Sequence, residues 1–361
     1  MTYRAIGLMS GSSLDGVDLV FASFESKGSE WNYSILANEC VPYDKSWKNR
    51  LSNASQLSAF DYLQLHTEYG KHLGALVKNF MEANGLDYKV QLIAVHGHTI
   101  FHEPQKGFTQ QLGKGSAIAA ITGIPVITDL RSMDIAFGGQ GAPLVPLGEK
   151  KLFSPYRFFL NIGGIANVSV HADKIIGFDV CPANRILNML AERNGKEYDD
   201  KGSLAKSGTI NQTLLDELNA LPYYQQLHPK SLSNQFGLEV IVPLLSKYTD
   251  HIPDLLCTYT EHIAIQISHS LAPFLKSSDK NPDELMVTGG GAFNDYLIER
   301  IQYHLPSLSV FLPEKEVIQY KEALIMAFLG ILRWREEPTV LNSVTGATQE
   351  SIGGAVWSGH L

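Results

Sequence analysis

Apolar residues fall in short runs separated by glycine-rich turns along this chain. AIGLM (residues 5–9) reads as a strand, SGSSLDG (10–16) as a turn and VDLVFASF (17–24) as a second strand, so the chain opens on a hairpin. A helical stretch at 58–84 leads to the apolar run VQLIAVHG (90–97), and a second helix at 115–122 leads to IPVITDL (124–130). Helices alternating with apolar strands predict an α/β domain.

RSMDIAFGGQGAPLVP (131–146) interrupts this pattern with Gly138, Gly139, Gly141 and Pro143, a density that excludes a regular element. The change of domain is placed here. It gives an N-terminal domain of residues 1–135, to which 346–361 return, and a C-terminal domain of 136–345. FFLNIGGIANVSV (158–170) then repeats strand, glycine turn and strand, and LMVTGGGAFNDYLIERI (285–301) joins an apolar strand to a helix through Gly289, Gly290 and Gly291. Between them, 261–275 carries Ile263, Ile267, Leu271 and Phe274 at helical spacing. His262 and His269 on that helix read as structural side chains, because no partner stands at metal-ligand spacing.

Composition narrows the function. The chain has 361 residues, enough for two domains with a core each, and 44% of them are hydrophobic. A net charge of -8 argues against a nucleic-acid or anionic-membrane surface, both of which need a basic face. The absence of a long apolar run and of a signal-like N-terminus predicts a cytoplasmic protein. Cys40, Cys181 and Cys257 are widely spaced and show no CxxC pairing, which suggests neither a disulfide framework nor a zinc site. Cys40 and Cys257 read as small packing residues.

The first turn has the chemistry of a phosphate cradle. Gly11 and Gly16 allow close approach of backbone to a ligand, while Ser10, Ser12, Ser13 and the turn amides offer hydrogen bonds to anionic oxygens. No Walker lysine follows, so a P-loop is not indicated. The turn at 163–164 repeats this chemistry at the head of the second half, and at 289–291 bare backbone allows close approach of a nucleotide base or ribose.

GLMSGSSLDGVD, HGHTIFHEP, TDLRSMDIAFGGQGAPLVP, NIGGIANVS, GFDVCPAN, VTGGGAFN, KEALIMAFLG and SVTGA follow one another here from about Ile6 to about Gly354. In order and spacing they resemble the anhydro-N-acetylmuramic acid kinases, a branch of the sugar kinase, heat-shock 70 and actin superfamily. The resemblance implies an α/β fold of two actin-like (ribonuclease H-like) domains, with a nucleotide and substrate cleft between them. It implies an enzyme that uses ATP and Mg²⁺ to open 1,6-anhydro-N-acetylmuramic acid with water and phosphorylate its 6-oxygen. The product is N-acetylmuramic acid 6-phosphate, and the setting is peptidoglycan recycling.

Roles follow from the same resemblance. Asp179 matches the general base. Gly11, Ser12, Ser13, Leu14, Asp15, Gly16, Val17 and Asp18 match the ATP-phosphate segment, Asn161, Gly163, Gly164 and Asn167 meet the phosphates, and Gly289, Gly290 and Asn294 contact adenosine. His96, Arg131, Asp134, Gln140 and Glu322 are expected at the sugar. An arginine suits the lactyl carboxylate of a muramic acid, which it can clamp with two N–H groups. The residue types alone leave other roles open: Asp179 as a cap, Glu322 in a helix's first turn, His96 bonded to neighbouring backbone. The partners implied are the sugar and ATP, and a homodimer is compatible with them.

Several positions depart from the family pattern. Met9 stands where many kinases of the superfamily carry a carboxylate, so the Mg²⁺ ligands remain unassigned, with Asp15 and Asp179 as candidates. GFDVCPAN replaces the usual GFDTGPGN, Asn188 replaces an Asp, and PKSLSNQ (229–235) keeps Lys230 and Ser231 of PKSTGRE but has Asn234 for its arginine. Two other functions therefore stand beside the family reaction: a kinase for a different amino sugar without ring opening, and a non-catalytic actin-like ATP-binding regulator.

Overall fold

The computed structural model describes every residue except 12–13, 229, 249–250, 276–282 and 360–361. The chain divides into two compact units, Met1–Ser154 with Tyr320–Leu361, and Pro155–Gln319.

In the first unit, β1 (Thr2–Met9), β2 (Gly16–Lys27) and β3 (Glu30–Pro42) form an antiparallel meander, and β4 (Leu92–Val95) pairs parallel with β1. A separate ribbon of β5 (His98–Glu103) and β6 (Phe108–Leu112) precedes β7 (Val126–Thr128), which pairs parallel with β4. In the second unit, β8 (Phe158–Ile162), β9 (Ile165–His171) and β10 (Ile175–Pro182) are antiparallel, and β11 (Asp283–Thr288) pairs parallel with β8. β12 (Leu308–Phe311) continues parallel to β11, and β13 (Ala355–Trp357) adds antiparallel to β7 of the first unit. Apart from that edge strand the two sheets share one plan: order third, second, first, fourth, fifth, with the last two parallel to the first. The repeated plan is the pair of related α/β domains that the resemblance implied.

Local sequence accounts for most boundaries. The helix Ala59–Ala83 begins where the Ser58 hydroxyl accepts the Asp61 N–H at 3.2 Å and donates to the Asp61 carboxylate, a side-chain cap. The helix Gly115–Thr122 ends at left-handed Gly123. The run read as a strand over 124–130 is shorter, Val126–Thr128: Pro125 has no N–H for the ladder, and Asp129 turns left-handed with φ 56°. The second-unit helix starts earlier than its periodicity suggested, at Ile252, and runs to Leu271.

The unit boundaries lie at Ser154 and Gln319 rather than at 135 and 345. The crossing 131–146 carries a short helix at each end, Ser132–Ala136 and Val145–Leu152, where no regular element was expected. Its contacts belong to the first unit: the Gln140 N–H donates to the Thr345 carbonyl at 2.9 Å, and the Phe153 ring packs on Tyr33. The helix Lys315–Trp334 then presses its backbone at Ala323 and Ala327 against Gly7 of β1, so closely that any Cβ at Gly7 would collide with both.

Each unit has its own core. Ile6, Leu8, Leu19, Phe21, Val77 and Phe80 centre the first, and Phe158, Leu160, Val168, Ile263 and Val287 the second. Each such side chain contributes about 1.5–3 kcal/mol by leaving water. Cys257 is buried as expected, whereas Cys40 lies on β3 exposed as a residue, with its thiol partly covered beside Asp18.

Candidate functional site

The turn after β1 is held from beneath. The Ser10 side chain is only 4% exposed, and its hydroxyl lies 2.7 Å from the Tyr43 hydroxyl and 3.1 Å from His98 Nδ1; Tyr43 in turn bonds Tyr69. Ser10 thus faces inward rather than toward an anion. Leu14, at φ 58°, closes the turn with its N–H toward the Gly11 carbonyl at 3.4 Å. Gly16 is required by the sheet, because a Cβ there would strike the Val41 carbonyl and the Pro42 Cα. Ser12 and Ser13 lie outside the described residues.

Just beyond the turn, Asp18 pairs across the ladder with Met9 on one side and Cys40 on the other. Burial raises the Asp18 pKa, the Cys40 thiol hydrogen bond lowers it, and the Asp15 charge raises it again. The thiol itself is pushed up to about 12, mainly by burial, so at neutral pH it stays a donor. Glu322 feels the same negative charge. Burial raises its pKa first; Lys321 and Arg131 oppose the rise, while Asp18 and Glu149 add to it. Glu322 sits two turns into its helix rather than in the first turn, so the macrodipole does not explain it.

Arg131 and His96 form one unit. The guanidinium donates through Nε (3.0 Å) and Nη2 (2.7 Å) to His96 Nε2, and through Nη1 (2.6 Å) to the Gly141 carbonyl. His96 Nδ1 lies 2.8 Å from the Gly97 carbonyl, to which it donates. Burial, with Arg131 beside it, holds His96 down at about 3, so the imidazole is neutral and accepts from the arginine. Among the described residues three of its five N–H groups have these partners, and a planar guanidinium suits a planar anion such as a carboxylate.

Asp134 has a different place from the one expected. It is 1% exposed; Oδ2 accepts the Gly141 N–H at 2.7 Å and Oδ1 accepts the Thr345 hydroxyl at 2.7 Å. A Cβ at Gly139 would overlap the same carboxylate. Its oxygens therefore knit the glycine loop to the C-terminal segment. Gln140 is exposed at the loop's tip, and its backbone N–H is committed to the Thr345 carbonyl. Beside His96, still within the first unit, lies a cavity of about 250 Å³ walled by His66, Gln111, Lys114, Asp129 and Trp357. Of these, Asp129 lies in the segment TDLRSMDIAFGGQGAPLVP, whereas His66, Gln111, Lys114 and Trp357 carried no motif in the sequence.

In the second unit the expected residues form a row. Asp179 pairs with Asn167, Asn167 with Asn161, and Asn161 with Thr288 across four neighbouring strands. Directly opposed residues project to one face, so one end of this sheet carries a carboxylate, two amides and a hydroxyl together. Asp179 lies within β10, at a bulge between Asp179 and Cys181. Burial raises its pKa against the Leu232 N–H bond that lowers it, and no cation among the described residues offsets the burial.

The glycines of this unit separate into two kinds. A Cβ at Gly289, which has φ 82°, or at Gly291 would run into Asn161 or Ile162. Gly163, Gly164 and Gly290 have no positive φ, and their nearest neighbours to a Cβ are 3.6, 3.8 and 3.5 Å away. The fold does not require glycine at these three positions. All three lie near the start of the helix Asn184–Arg193: the Asn184 and Ala183 N–H groups donate to the carbonyls of Gly163 and Gly164, and Gly290 faces the Asn184 amide. Bare backbone there leaves room for an external group. Asn294 instead caps the helix Asp295–His304, its Oδ1 accepting the Leu297 N–H at 3.0 Å.

The departures in GFDVCPAN are accommodated locally. Cys181 and Ala183 are fully buried in the second core, and Ala183 takes φ -127°, where a methyl group meets no left-handed strain.

Comparison with known proteins bears on this arrangement. The family model described as anhydro-N-acetylmuramic acid kinase matches residues 3–359. A curated anhydro-N-acetylmuramic acid kinase from Sulfurimonas denitrificans is 34% identical over 370 residues, covering 98% of each chain. The one from Shewanella amazonensis is 36% identical over 369 residues, 97% of each chain, and the one from Photobacterium profundum 34% over 373, again 98% of each. With similarity running through both units and across nearly the full length of these relatives, the chain belongs to the anhydro-N-acetylmuramic acid kinase family.

Proposed function

We propose that this protein is an ATP-dependent kinase that converts 1,6-anhydro-N-acetylmuramic acid, water and ATP to N-acetylmuramic acid 6-phosphate and ADP, in the recycling of cell-wall sugar. Water oxygen bonds to C1 as the bond from C1 to O6 breaks. The water's proton passes to the Asp179 carboxylate. O6, released from C1, bonds to the γ-phosphorus as the bridging oxygen departs with ADP, so phosphoryl transfer takes the place of protonating the leaving oxygen. The setting is the cytoplasm, where ATP is supplied. No helix among the described residues is long and apolar enough to cross a membrane.

The observation that carries this reading is Asp179: a carboxylate whose pKa burial raises, in a row with two amides at a glycine turn. A general base near neutral pH needs that raised value. Backbone at residues 11–18, 163–164 and 289–290, with Asn161 and Asn167, receives the nucleotide. Arg131, oriented by His96, clamps the lactyl carboxylate, and Gln140 and Glu322 bind the sugar's hydroxyl and amide groups. Asp134 shapes the loop that presents them, and Asn294 fixes the helix beside the nucleotide.

Among the described residues no three acidic, histidine or cysteine side chains are grouped to hold a metal ion. Mg²⁺ keeps several waters and takes phosphate oxygens with one or two carboxylates. Asp15 and Asp18 are the acids at the phosphate turn that would hold it. When bound it offsets the charge on the transferring phosphate.

Incubation with the anhydro sugar, Mg·ATP and oxygen-18 water tests the reading. The expected product carries one phosphate and one oxygen-18 in the sugar. Absence of any phosphorylated product from the anhydro sugar, with a reducing amino sugar phosphorylated instead, would reject it.

A further inference from the structure

Residues 230–232 run alongside β10 at its bulge and hold Asp179 at two points. The Asp179 N–H donates to the Lys230 carbonyl at 3.2 Å, and the Leu232 N–H donates to Asp179 Oδ2 at 2.8 Å. The Asp179 carbonyl is held as well, accepting the Tyr223 hydroxyl at 2.7 Å. Oδ1 has no hydrogen bond among the described residues. The Lys230 ammonium turns elsewhere: it lies 4.7 Å from the centre of the Tyr223 ring and 5.9 Å from that of Phe178.

We propose that residues 230–232 are the positioning strap of the general base: the Leu232 N–H ties Oδ2 and leaves Oδ1 as the oxygen that takes the proton from water. The proposal rests on Asp179 being that base. A carboxylate with one oxygen fixed keeps a single orientation, and its free oxygen is the more basic one. The strap acts through main-chain atoms, so the side chain at 232 is free to vary.

The titratable groups facing Asp179 are Cys181 on β10, Tyr223 on the turn Pro222–Gln225 and Lys230 on the strap, with His228 stacked on the neighbouring Phe178 ring. Burial pushes the Cys181 thiol and the Tyr223 phenol up and the Lys230 ammonium down. Cysteine and tyrosine thus stay neutral through the acid range, and the acidic limb of the rate belongs to Asp179.

The test is the pH dependence of kcat for the whole enzyme and four variants: Leu232→Pro, Leu232→Ala, His228→Gln, and a backbone ester at position 232 made with the hydroxy acid of leucine. Losing the N–H bond should move the acidic limb up by about one pH unit, in both the proline and the ester variants. Leu232→Ala retains the N–H and should retain the limb. The ester keeps the side chain and imposes no ring, so it decides the matter if the proline variant does not fold. A limb unmoved in the ester, or one abolished by His228→Gln, overturns the strap. Asp179→Asn separates the two levels: an inactive Asp179→Asn with an unmoved ester limb rejects the strap alone, whereas normal turnover rejects the base and the strap with it.

Discussion

Asp179 and Asn167 stand directly opposite each other across the β9 and β10 ladder, and Asn161 follows in the same row on β8. A carboxylate and an amide on one face can hold a water between them, with the carboxylate accepting its proton. Asp179→Asn keeps the shape and the Leu232 contact but removes the base. We expect turnover to fall by about two to four orders of magnitude with Mg·ATP affinity unchanged, the usual cost of losing a general base. Steady-state rates and calorimetry on one preparation measure both.

The two kinds of glycine predict opposite phenotypes. Gly16→Ala forces a methyl group into the backbone of β3 and should destabilise the protein by about 1–3 kcal/mol, read as a lower Tm. Gly163→Ala and Gly164→Ala find space in the free protein and should change stability by less than about 0.5 kcal/mol. They should nonetheless weaken Mg·ATP binding by about tenfold or more, 1.4 kcal/mol, because the methyl occupies the ligand's side of the turn. Unaltered affinity in both alanine variants would remove residues 163–164 from the nucleotide site.

Thr345→Val deletes the hydroxyl that meets Asp134 Oδ1 inside the glycine loop. A buried carboxylate loses one of its two donors, at a cost of about 1–3 kcal/mol. The loop carries Arg131 and Gln140, so sugar affinity should drop while nucleotide affinity holds. Thermal unfolding together with separate titrations of sugar and Mg·ATP distinguishes this outcome from a general loss of fold.

His262 is fully buried, with Nδ1 2.7 Å from Asn219 Oδ1 and Nε2 3.1 Å from the Tyr224 hydroxyl, and burial holds its pKa at about 3. Between the unfolded value of 6.5 and that value the unfolded chain binds the extra proton, so stability falls as pH drops through this window. The slope for one such group is about 1.4 kcal/mol per pH unit. The raised carboxyls Asp18, Asp179 and Glu322 act in the opposite sense, adding stability as pH falls through their folded values. His262→Gln should flatten the loss between pH 6.5 and 3 by that one-proton slope in denaturant titrations. An identical pH dependence in wild type and variant would mean that the imidazole is protonated in the folded state.

The sequence by itself determined the opening hairpin, the alternation of helix and strand in the first unit and the three glycine turns, because each is written in local patterns of apolar periodicity and glycine clusters, while the family resemblance singled out Asp179. The family resemblance rested on those same segments. What only the tertiary structure decided are the partners of those residues. Asp134 meets Thr345 across 211 positions and Asp179 meets Leu232 across 53, and no local pattern encodes a hydrogen bond between distant segments. Ser10 reads as a phosphate ligand until burial turns it toward Tyr43 and His98. Gly16 and Gly163 are the same letter in similar turns, yet one is forced by neighbouring backbone and the other is not, a difference that exists only once β3 and the helix Asn184–Arg193 are in place. The crossing 131–146 looks like a boundary because glycine breaks helices and strands; it belongs to the first unit because the hydrogen bonds of its backbone are satisfied there, by Asp134 and by the carbonyl of Thr345.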